Sequence, residues 1–341
     1  MDRRDFLKTG GLAVAGTIAG GLGLFSWIPR ANAASVSVTL NAVAGDVTMI
    51  DGTLAYMFGF SENNQANFPG PTIIAQEGDT VTVQLNNTLA TASSFKVGGT
   101  DVYQTVSAES STSVTFPTPA AGTYLYYDDL NDGVNRVMGL HGALVVMPSG
   151  SANTSFTGGP SFIRQYKWVL GNVDTVWGEA VRTNGHNYVT NAALSIETFK
   201  PRYFTINGQS YEETHLNSNT DLKGNYGEPG MVRILNAGMV THSPHFHGNH
   251  VDMVAINRQN FSSDFKRKDV VSMFPLDCRD VIYPFDPPPD AYPPLTAASP
   301  SQTFPMHCHS EPSQTAGGGL YPQGLHTGIT IGLAPTPEPK L

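Results

Sequence analysis

The chain has 341 residues, a formal net charge of −9 and only 14% charged residues, while glycine (35) and proline (24) are abundant. This length suits two domains with substantial cores, and the composition favours short strands joined by tight turns over long helices. The acidic balance, with one short basic run at Lys266-Arg267-Lys268, argues against nucleic acid as a partner. Two cysteines are too few for a disulfide framework, which leaves room for a thiolate with a chemical role.

The N-terminus has the pattern of an export signal. Arg3-Arg4-Asp5-Phe6-Leu7-Lys8 is a twin-arginine pattern, followed by an apolar stretch rich in glycine and alanine and by the cleavage signal Ala31-Asn32-Ala33. A membrane anchor is the alternative, but the repeated glycines and the cleavage signal favour removal of residues 1–33. We therefore expect a periplasmic or secreted protein without a membrane segment after cleavage, since no other stretch is long and apolar enough to span a bilayer.

The rest of the chain alternates apolar and polar residues in short runs, such as Thr80 to Leu85 and Met231 to Leu235. Alternation with a period of two, bounded by glycine, proline and asparagine, is typical of strands. A linker rich in serine, glycine and asparagine at about 149–160 divides the pattern. The sequence predicts an all-β protein of two Greek-key β-sandwich or barrel domains, at residues 34–150 and 160–335.

Seven of the ten histidines follow residue 240. Met306-His307-Cys308-His309 is predicted to be a strand, on which successive side chains point to opposite faces. His307 and His309 would face one way and Cys308 the other, so that one strand could serve two metal sites back to back. In the segment from His242 to His247, His245 and His247 likewise share a face.

Copper is the metal that this ligand set predicts. A soft thiolate with imidazoles is typical of a trigonal copper site for electron transfer. Zinc also binds histidine and cysteine, but structural zinc sites favour paired CxxC or helical HxxxH ligands, and the sequence contains neither.

These motifs resemble those of the multicopper oxidases, specifically their two-domain, laccase-like members. The similarity extends over nearly the whole chain after the export signal, through the segments Phe68 to Ile73, Glu77 to Asp79, Gly122 to Tyr124, Met138 to Gly142, Phe204 to Gly208 and the two histidine motifs. The resemblance implies cupredoxin-like domains, copper cofactors, and a small-molecule or metal-ion electron donor with oxygen as acceptor. It also implies a homotrimer, with the first domain of one subunit against the second domain of its neighbour.

Applied residue by residue, the resemblance implies two sites in the second domain. His242 and Cys308 would bind a mononuclear type 1 copper, with His326 as the second imidazole, since it is the only histidine C-terminal to His309. No methionine follows His326 in the position of the family's axial ligand. An oxygen-reducing cluster would be bound by a second set of ligands, which are His245, His247, His307 and His309. Electrons would pass through Cys308 into His307 and His309, which makes these three the candidate catalytic residues.

The first domain departs from the family. The resemblance requires four histidines there, yet His141 is the only one, and Tyr127-Asp128-Asp129 stands where the second histidine motif is expected. We therefore expect no three-copper cluster. The remaining half-site could bind one or two copper ions, completed by Asp129 or Tyr127 of a first domain, or it could be empty.

Of the remaining residues, Cys278 is interpreted as a buried small hydrophobe and His250 as structural, while His186 and His215 are predicted to lie solvated in polar loops.

Three functions remain open. The first is a laccase-like oxidase that removes one electron at a time from phenols or metal ions. The second is a non-enzymatic blue-copper electron carrier or periplasmic copper binder that has lost the cluster. The third, a nitrite-reductase-like enzyme, is disfavoured because its blue site would lie in the first domain, where this chain has no cysteine.

Overall fold

The computed structural model describes residue 30 and residues 32–151, 153–261, 263–296 and 299–332. The predicted twin-arginine signal falls almost entirely outside these described residues. Where the chain is described, no helix is long and apolar enough to cross a membrane.

The described residues before the linker form nine strands. They are Ser35–Thr48 (β1), Leu54–Ser61 (β2), Ile73–Gln76 (β3), Thr80–Asn87 (β4), Ser93–Val97 (β5), Tyr103–Val106 (β6), Ser110–Pro117 (β7), Gly122–Tyr127 (β8) and His141–Met147 (β9). A 3₁₀ turn at Asn131–Gly133 and the short helix Val134–Val137 (α1) lie between β8 and β9.

The described residues after the linker form eleven strands. They are Arg164–Val173 (β10), Tyr203–Ile206 (β11), Leu222–Gly224 (β12), Gly230–Asn236 (β13), Pro244–Phe246 (β14), Val251–Ile256 (β15), Gln259–Asn260 (β16), Lys266–Lys268 (β17), Cys278–Tyr283 (β18), Gln302–Cys308 (β19) and His326–Ile331 (β20). Helices cover Thr175–Asn184 (α2) and Glu213–Leu216 (α3), with 3₁₀ turns at His186–Thr190 and Glu311–Gln314.

The strands form four sheets that stack in layers. The sheet β2-β1-β4-β7 packs on the sheet β3-β9-β8-β5-β6, with Phe58, Phe95 and Leu144 in the core between them. The back of that second sheet packs on the sheet β11-β10-β13-β18-β15-β16, to which β17 adds. The fourth sheet, β12-β20-β19-β14, closes the stack over a core that contains Trp168 and Cys308. Its other side is here called the outer face.

Side-chain alternation explains why these segments form sheets. In β4 the valines and Leu85 are buried, while the intervening residues are exposed or partly exposed, as expected for a strand with one face on a core. By contrast, β18 is buried along its whole length because it lies between two layers. The architecture is mostly β, with two stacked sheets in each half of the chain, and it confirms the predicted fold class.

The helix α2 follows β10 of the second domain and packs against the first domain. Asp174 caps α2 by accepting hydrogen bonds from the backbone N–H groups of Val176 and Trp177. Trp177 and Val181 then pack into the core of the first domain. This ten-residue helix was not predicted, because its short apolar stripe is hidden in a sequence that otherwise has strand periodicity.

Candidate metal centre

The outer face of the fourth sheet carries a row of histidines because of the strand register. His245 of β14 stands opposite His307 of β19, and His307 stands opposite His326 of β20. Residues directly opposite in neighbouring strands project from the same face of the sheet. His309 and His247 continue the alternation just beyond the strand ends, where His309 N–H donates to Ser243 O and His247 N–H donates to Pro305 O.

Four of these imidazoles form a close group, here called the imidazole cluster: His245, His247, His307 and His309. His245 Nδ1 lies 2.5 Å from His309 Nε2, and His247 Nε2 lies 3.1 Å from His307 Nε2. One nitrogen each from His245, His247 and His307 lie within 4.8 Å of one another. Nitrogens that face each other at these distances are arranged to share a cation, because imidazole nitrogens bind copper or zinc at about 2 Å.

The electrostatics of the cluster favour neutral imidazoles. Burial, and then the neighbouring imidazoles, lower the pKa of His245 to about 4. Burial is also the main reason that the pKa values of His247 and His307 lie below the ordinary histidine value. A neutral imidazole has a free lone pair for a metal, so these shifts keep the cluster ready to bind one.

The opposite face of β19 holds the thiol. Cys308 is fully buried, and its Sγ lies 3.7 Å from His242 Nδ1, which is also fully buried. The backbone N–H groups of Ser243 and Ser310 point at the sulfur, with N to Sγ distances of 3.2 and 3.4 Å. Such donors stabilise a thiolate over a thiol, and the thiolate is the form that binds metals.

His242 is held with one particular nitrogen towards the sulfur. Its Nε2 lies 2.9 Å from the side-chain amide of Asn172, so Nδ1 is the atom left facing Cys308. Phe204 packs edge-on against the ring at 6.1 Å. Burial lowers the pKa of His242 to about 4, which keeps the ring neutral. In metal sites the second ring nitrogen usually donates its N–H to an acceptor, so copper binding through Nδ1 requires the Asn172 amide oxygen, rather than its nitrogen, to face Nε2.

The structure does not bring His326 to the thiol, which corrects the prediction that it closes the type 1 site. Because His307 pairs with His326, the residue opposite Cys308 is Leu325, and Cys308 N–H donates to Leu325 O. Leu325 is fully buried beside the sulfur, whereas His326 lies on the outer face with the imidazole cluster. A register difference of one residue places a side chain on the opposite face of a sheet.

In the described structure, the candidate donors Tyr127, Asp129 and His141 of the first domain are engaged in other contacts. Tyr127 is buried in the layer between the domains, with the Arg136 guanidinium 5.8 Å from its ring. Asp129 forms an ion pair with Lys96 at 2.8 Å. His141, also buried, donates its Nδ1–H to Arg136 O at 2.8 Å.

Two other predictions are resolved by their contacts. His186 is not a solvated loop residue, because its Nε2 contacts the Tyr56 hydroxyl at 2.9 Å and its Nδ1 accepts the Ala90 N–H. His215 Nδ1 lies 3.1 Å from Asp221 Oδ1, so it is paired as well. Cys278 is buried between the domains, as expected, and burial raises the pKa of its thiol to about 12.

Sequence reasoning did not find a polar cleft of about 630 Å³ between the two domains. Lys167 lies in its wall, with Nζ 3.0 Å from the Thr72 hydroxyl, and burial lowers the pKa of the lysine to about 8. Glu62 and Glu213 also line this cleft. The only local signal was Lys167 between the aromatic residues Tyr166 and Trp168, which is too weak to predict a cleft.

Comparisons with known proteins agree with the fold. Residues 44–151 match a family model described as multicopper oxidase. A blue copper oxidase from Nitrosomonas europaea has 20% sequence identity and a TM-score of 0.66, with 86% of this chain and 85% of that chain covered.

Two other solved structures give similar values. The multicopper oxidase mgLAC has 20% identity and a TM-score of 0.67, covering 87% of this chain and 86% of that one. A copper nitrite reductase from Nitrosomonas europaea has 17% identity and a TM-score of 0.62, covering 87% and 94%. No curated protein sequence matches the chain. Residues 44–151 are therefore similar to a multicopper oxidase domain, and the chain as a whole shares the fold of these solved copper proteins.

Proposed function

We propose that this protein is a copper-dependent oxidoreductase whose metal ions are bound by the second domain: one by His242 and Cys308, and a further one or two by the imidazole cluster. The observation that carries the proposal is the position of Cys308. Its sulfur faces the buried His242. The residues before and after Cys308 in the chain, His307 and His309, belong to the imidazole cluster on the opposite face of the sheet.

The donor sets fit copper. A buried thiolate beside a neutral imidazole is a soft site that selects copper over hard cations. The cluster consists of imidazoles, and the nearest carboxylate, Asp269, lies 3.8 Å from His245 Nε2 and is half exposed. Copper bound in these places would supply one-electron redox chemistry.

The residues around the thiolate have three roles in this proposal. Leu325 and Phe204 exclude water from the sulfur and from His242, since both are buried in the same core. The N–H groups of Ser243 and Ser310 stabilise negative charge on Cys308. The covalent chain from Cys308 to the backbones of His307 and His309 provides the shortest connection between the two sites, because adjacent residues of a strand face opposite sides.

The proposal also names an electron donor and an electron acceptor. A laccase-like reaction, with a small phenol or a metal ion as electron donor and oxygen as acceptor, is supported by the multicopper oxidase domain.

A homotrimer and export through the twin-arginine route stay predictions. Light scattering of the copper-loaded protein would test the trimer, and a monomer at micromolar concentration would contradict it.

A second function, that of a non-enzymatic copper electron carrier, is favoured by one observation. The first domain has polar contacts such as Lys96–Asp129 in the region where the family needs imidazoles. Without those ligands, the protein has no complete site for the four-electron reduction of oxygen. Copper binding by Cys308 and His242 needs none of them.

Copper loading followed by a redox cycle distinguishes the two functions. The loaded protein is reduced with a phenolic or ferrous donor, and its visible absorption is followed as air is admitted. An oxidoreductase consumes donor beyond one equivalent per bound copper and returns to its oxidised spectrum; an electron carrier stops at one equivalent. Protein that binds no copper tightly would overturn both.

A further inference from the structure

The polar cleft between the two domains has the size of a small-molecule site. Its volume of about 630 Å³ lies within the range of about 300–1,000 Å³ that is usual for ligand pockets. One wall consists of residues between 47 and 72 of the first domain, and the other of residues between 167 and 219. The described residues that line the cleft include none of the proposed copper ligands. The copper chemistry therefore does not account for this cleft.

A tight turn fixes the two walls against each other. Asn207 and Gly208 both have positive φ, at 53° and 82°. A Cβ on Gly208 would come within 2.1 Å of Phe68 O, so only glycine allows this approach to the first domain. The Asn207 side chain donates to Lys167 O at 2.7 Å and accepts the Val169 N–H at 2.9 Å. The cleft is thus preformed, and the backbone of Lys167 is held in its wall.

Lys167 carries a positive charge into the cleft without a counter-ion. Its ammonium group has three N–H donors, and one of them bonds to the Thr72 hydroxyl at 3.0 Å. Burial alone lowers the pKa of the lysine to about 8, because the cation has lost water without gaining a carboxylate beside it. An anionic group on a bound molecule would supply the missing partner.

The other polar groups of the cleft suit a molecule that is rich in hydroxyl groups. Glu62 and Glu213 form no hydrogen bond within the described part of the chain, and burial raises the pKa of both. The Asn67 amide and Gln209 Nε2 also have no protein partner there. Hydroxyl groups can donate to the carboxylates and accept from the amides. A second negative charge on the molecule would be repelled by the two glutamates.

We propose that this cleft binds a small polyhydroxylated monocarboxylate with the chemistry of a uronic acid. The carboxylate of the ligand contacts Lys167, and its hydroxyl groups contact Glu62, Glu213 and Asn67. The single cation in the wall sets the charge of the ligand, and the polar lining sets its hydroxyl content. This inference goes beyond the proposed function and requires no copper, so its failure would leave the copper sites unaffected.

A series of three ligands tests the two parts of this recognition on the full chain by isothermal titration calorimetry. Methyl β-D-glucuronide has both the carboxylate and the hydroxyl groups, methyl β-D-glucoside lacks the carboxylate, and cyclohexanecarboxylate lacks the hydroxyl groups. We expect the glucuronide to bind at one site per chain and the other two to bind at least about tenfold more weakly, since each loses charge-assisted hydrogen bonds. Equal binding of either simpler compound, or no binding of the glucuronide, would overturn the inference.

A variant and a chemical footprint locate the site. Lys167→Met should weaken binding of the glucuronide at least about tenfold, while Lys200→Met, a change at an exposed lysine outside the cleft, should not. In the unmutated chain, the glucuronide should slow acetylation of Lys167 but not of Lys200, as measured by mass spectrometry. The footprint does not require the Lys167→Met variant to fold. Acetylation of Lys167 that the glucuronide leaves unchanged would place the ligand elsewhere and contradict the proposal.

Discussion

The strand ends β8 and β19 show how one fold can place polar side chains either in a satisfied hydrogen-bond network or in a group that faces itself. In the second domain, β19 and the residue after it place His307, Cys308 and His309 on alternating faces, with several imidazole nitrogens directed at one another. In the first domain, β8 is followed by Asp128 and Asp129, and Asp128 is completely buried. The side-chain hydroxyls of Ser93 and Ser94 and the amide of Asn135 all donate to Asp128 at 2.8 to 3.0 Å.

The difference lies in whether the polar groups are already satisfied. The Asp128 carboxylate accepts every hydrogen bond that its pocket supplies, so it has little to offer a metal. The imidazoles of the second domain face one another, and a cation would satisfy them. The strand end of the first domain is thus part of a satisfied hydrogen-bond network, and the proposed function assigns chemistry only to the strand end of the second domain.

The largest expected effect is on the thiolate site. Cys308→Ser should abolish any intense visible absorption of the copper-loaded protein, because that band requires a copper–thiolate bond. Cys278→Ser is the control, since Cys278 lies between the domains and away from His242. Absorption that survives in Cys308→Ser would show that the sulfur is not a copper ligand.

Asp128→Ala should destabilise the protein by about 3 kcal/mol, because it leaves several buried donors unpaired. Copper binding should be unchanged, since Asp128 does not contact the second domain's sites. Denaturant unfolding measures the first effect and elemental analysis the second.

The neighbouring carboxylate provides the matched control for Asp128. Asp129→Ala removes a partly exposed ion pair with Lys96, and such pairs contribute at most about 1 kcal/mol. If Asp129→Ala lowered the copper content per chain, the first domain would be supplying a ligand, and the division between the domains would be wrong.

A smaller effect is expected from Asn172→Ala. Loss of the amide that contacts His242 Nε2 frees the ring to turn, and changes of this kind typically weaken metal binding by about 10–100-fold. Only copper at the thiolate site should be affected, so copper in the imidazole cluster of the same variant is the internal control. Equal weakening at both sites would indicate a general loss of structure.

Much of this could be predicted from the sequence. The alternation around Cys308 places the thiol and the two flanking histidines on opposite faces, and no tertiary information is needed for that step. The fold class followed from strand periodicity in the same way. The partner of each histidine across the sheet could not be predicted, since it depends on the register of β19 and β20.

That register explains why His326 was assigned to the wrong face. A loop from Ser310 to Leu325 separates the two strands, and its length does not determine whether residue 325 or residue 326 stands opposite Cys308. In the same way, the sequence around His186 gave no sign of Tyr56, which is 130 residues away. Contacts set by long-range packing need the structure.

Copper stoichiometry tests the central claim most directly, namely that the metal sites belong to the second domain alone. The protein is loaded with excess copper, freed of loosely bound ions by a weak chelator, and analysed for copper per chain. We expect no more than two tightly bound ions, with slow oxygen consumption in the presence of phenolic donors. A value near four, with rapid oxygen consumption and no peroxide, would contradict this account and restore a complete cluster shared with the first domain.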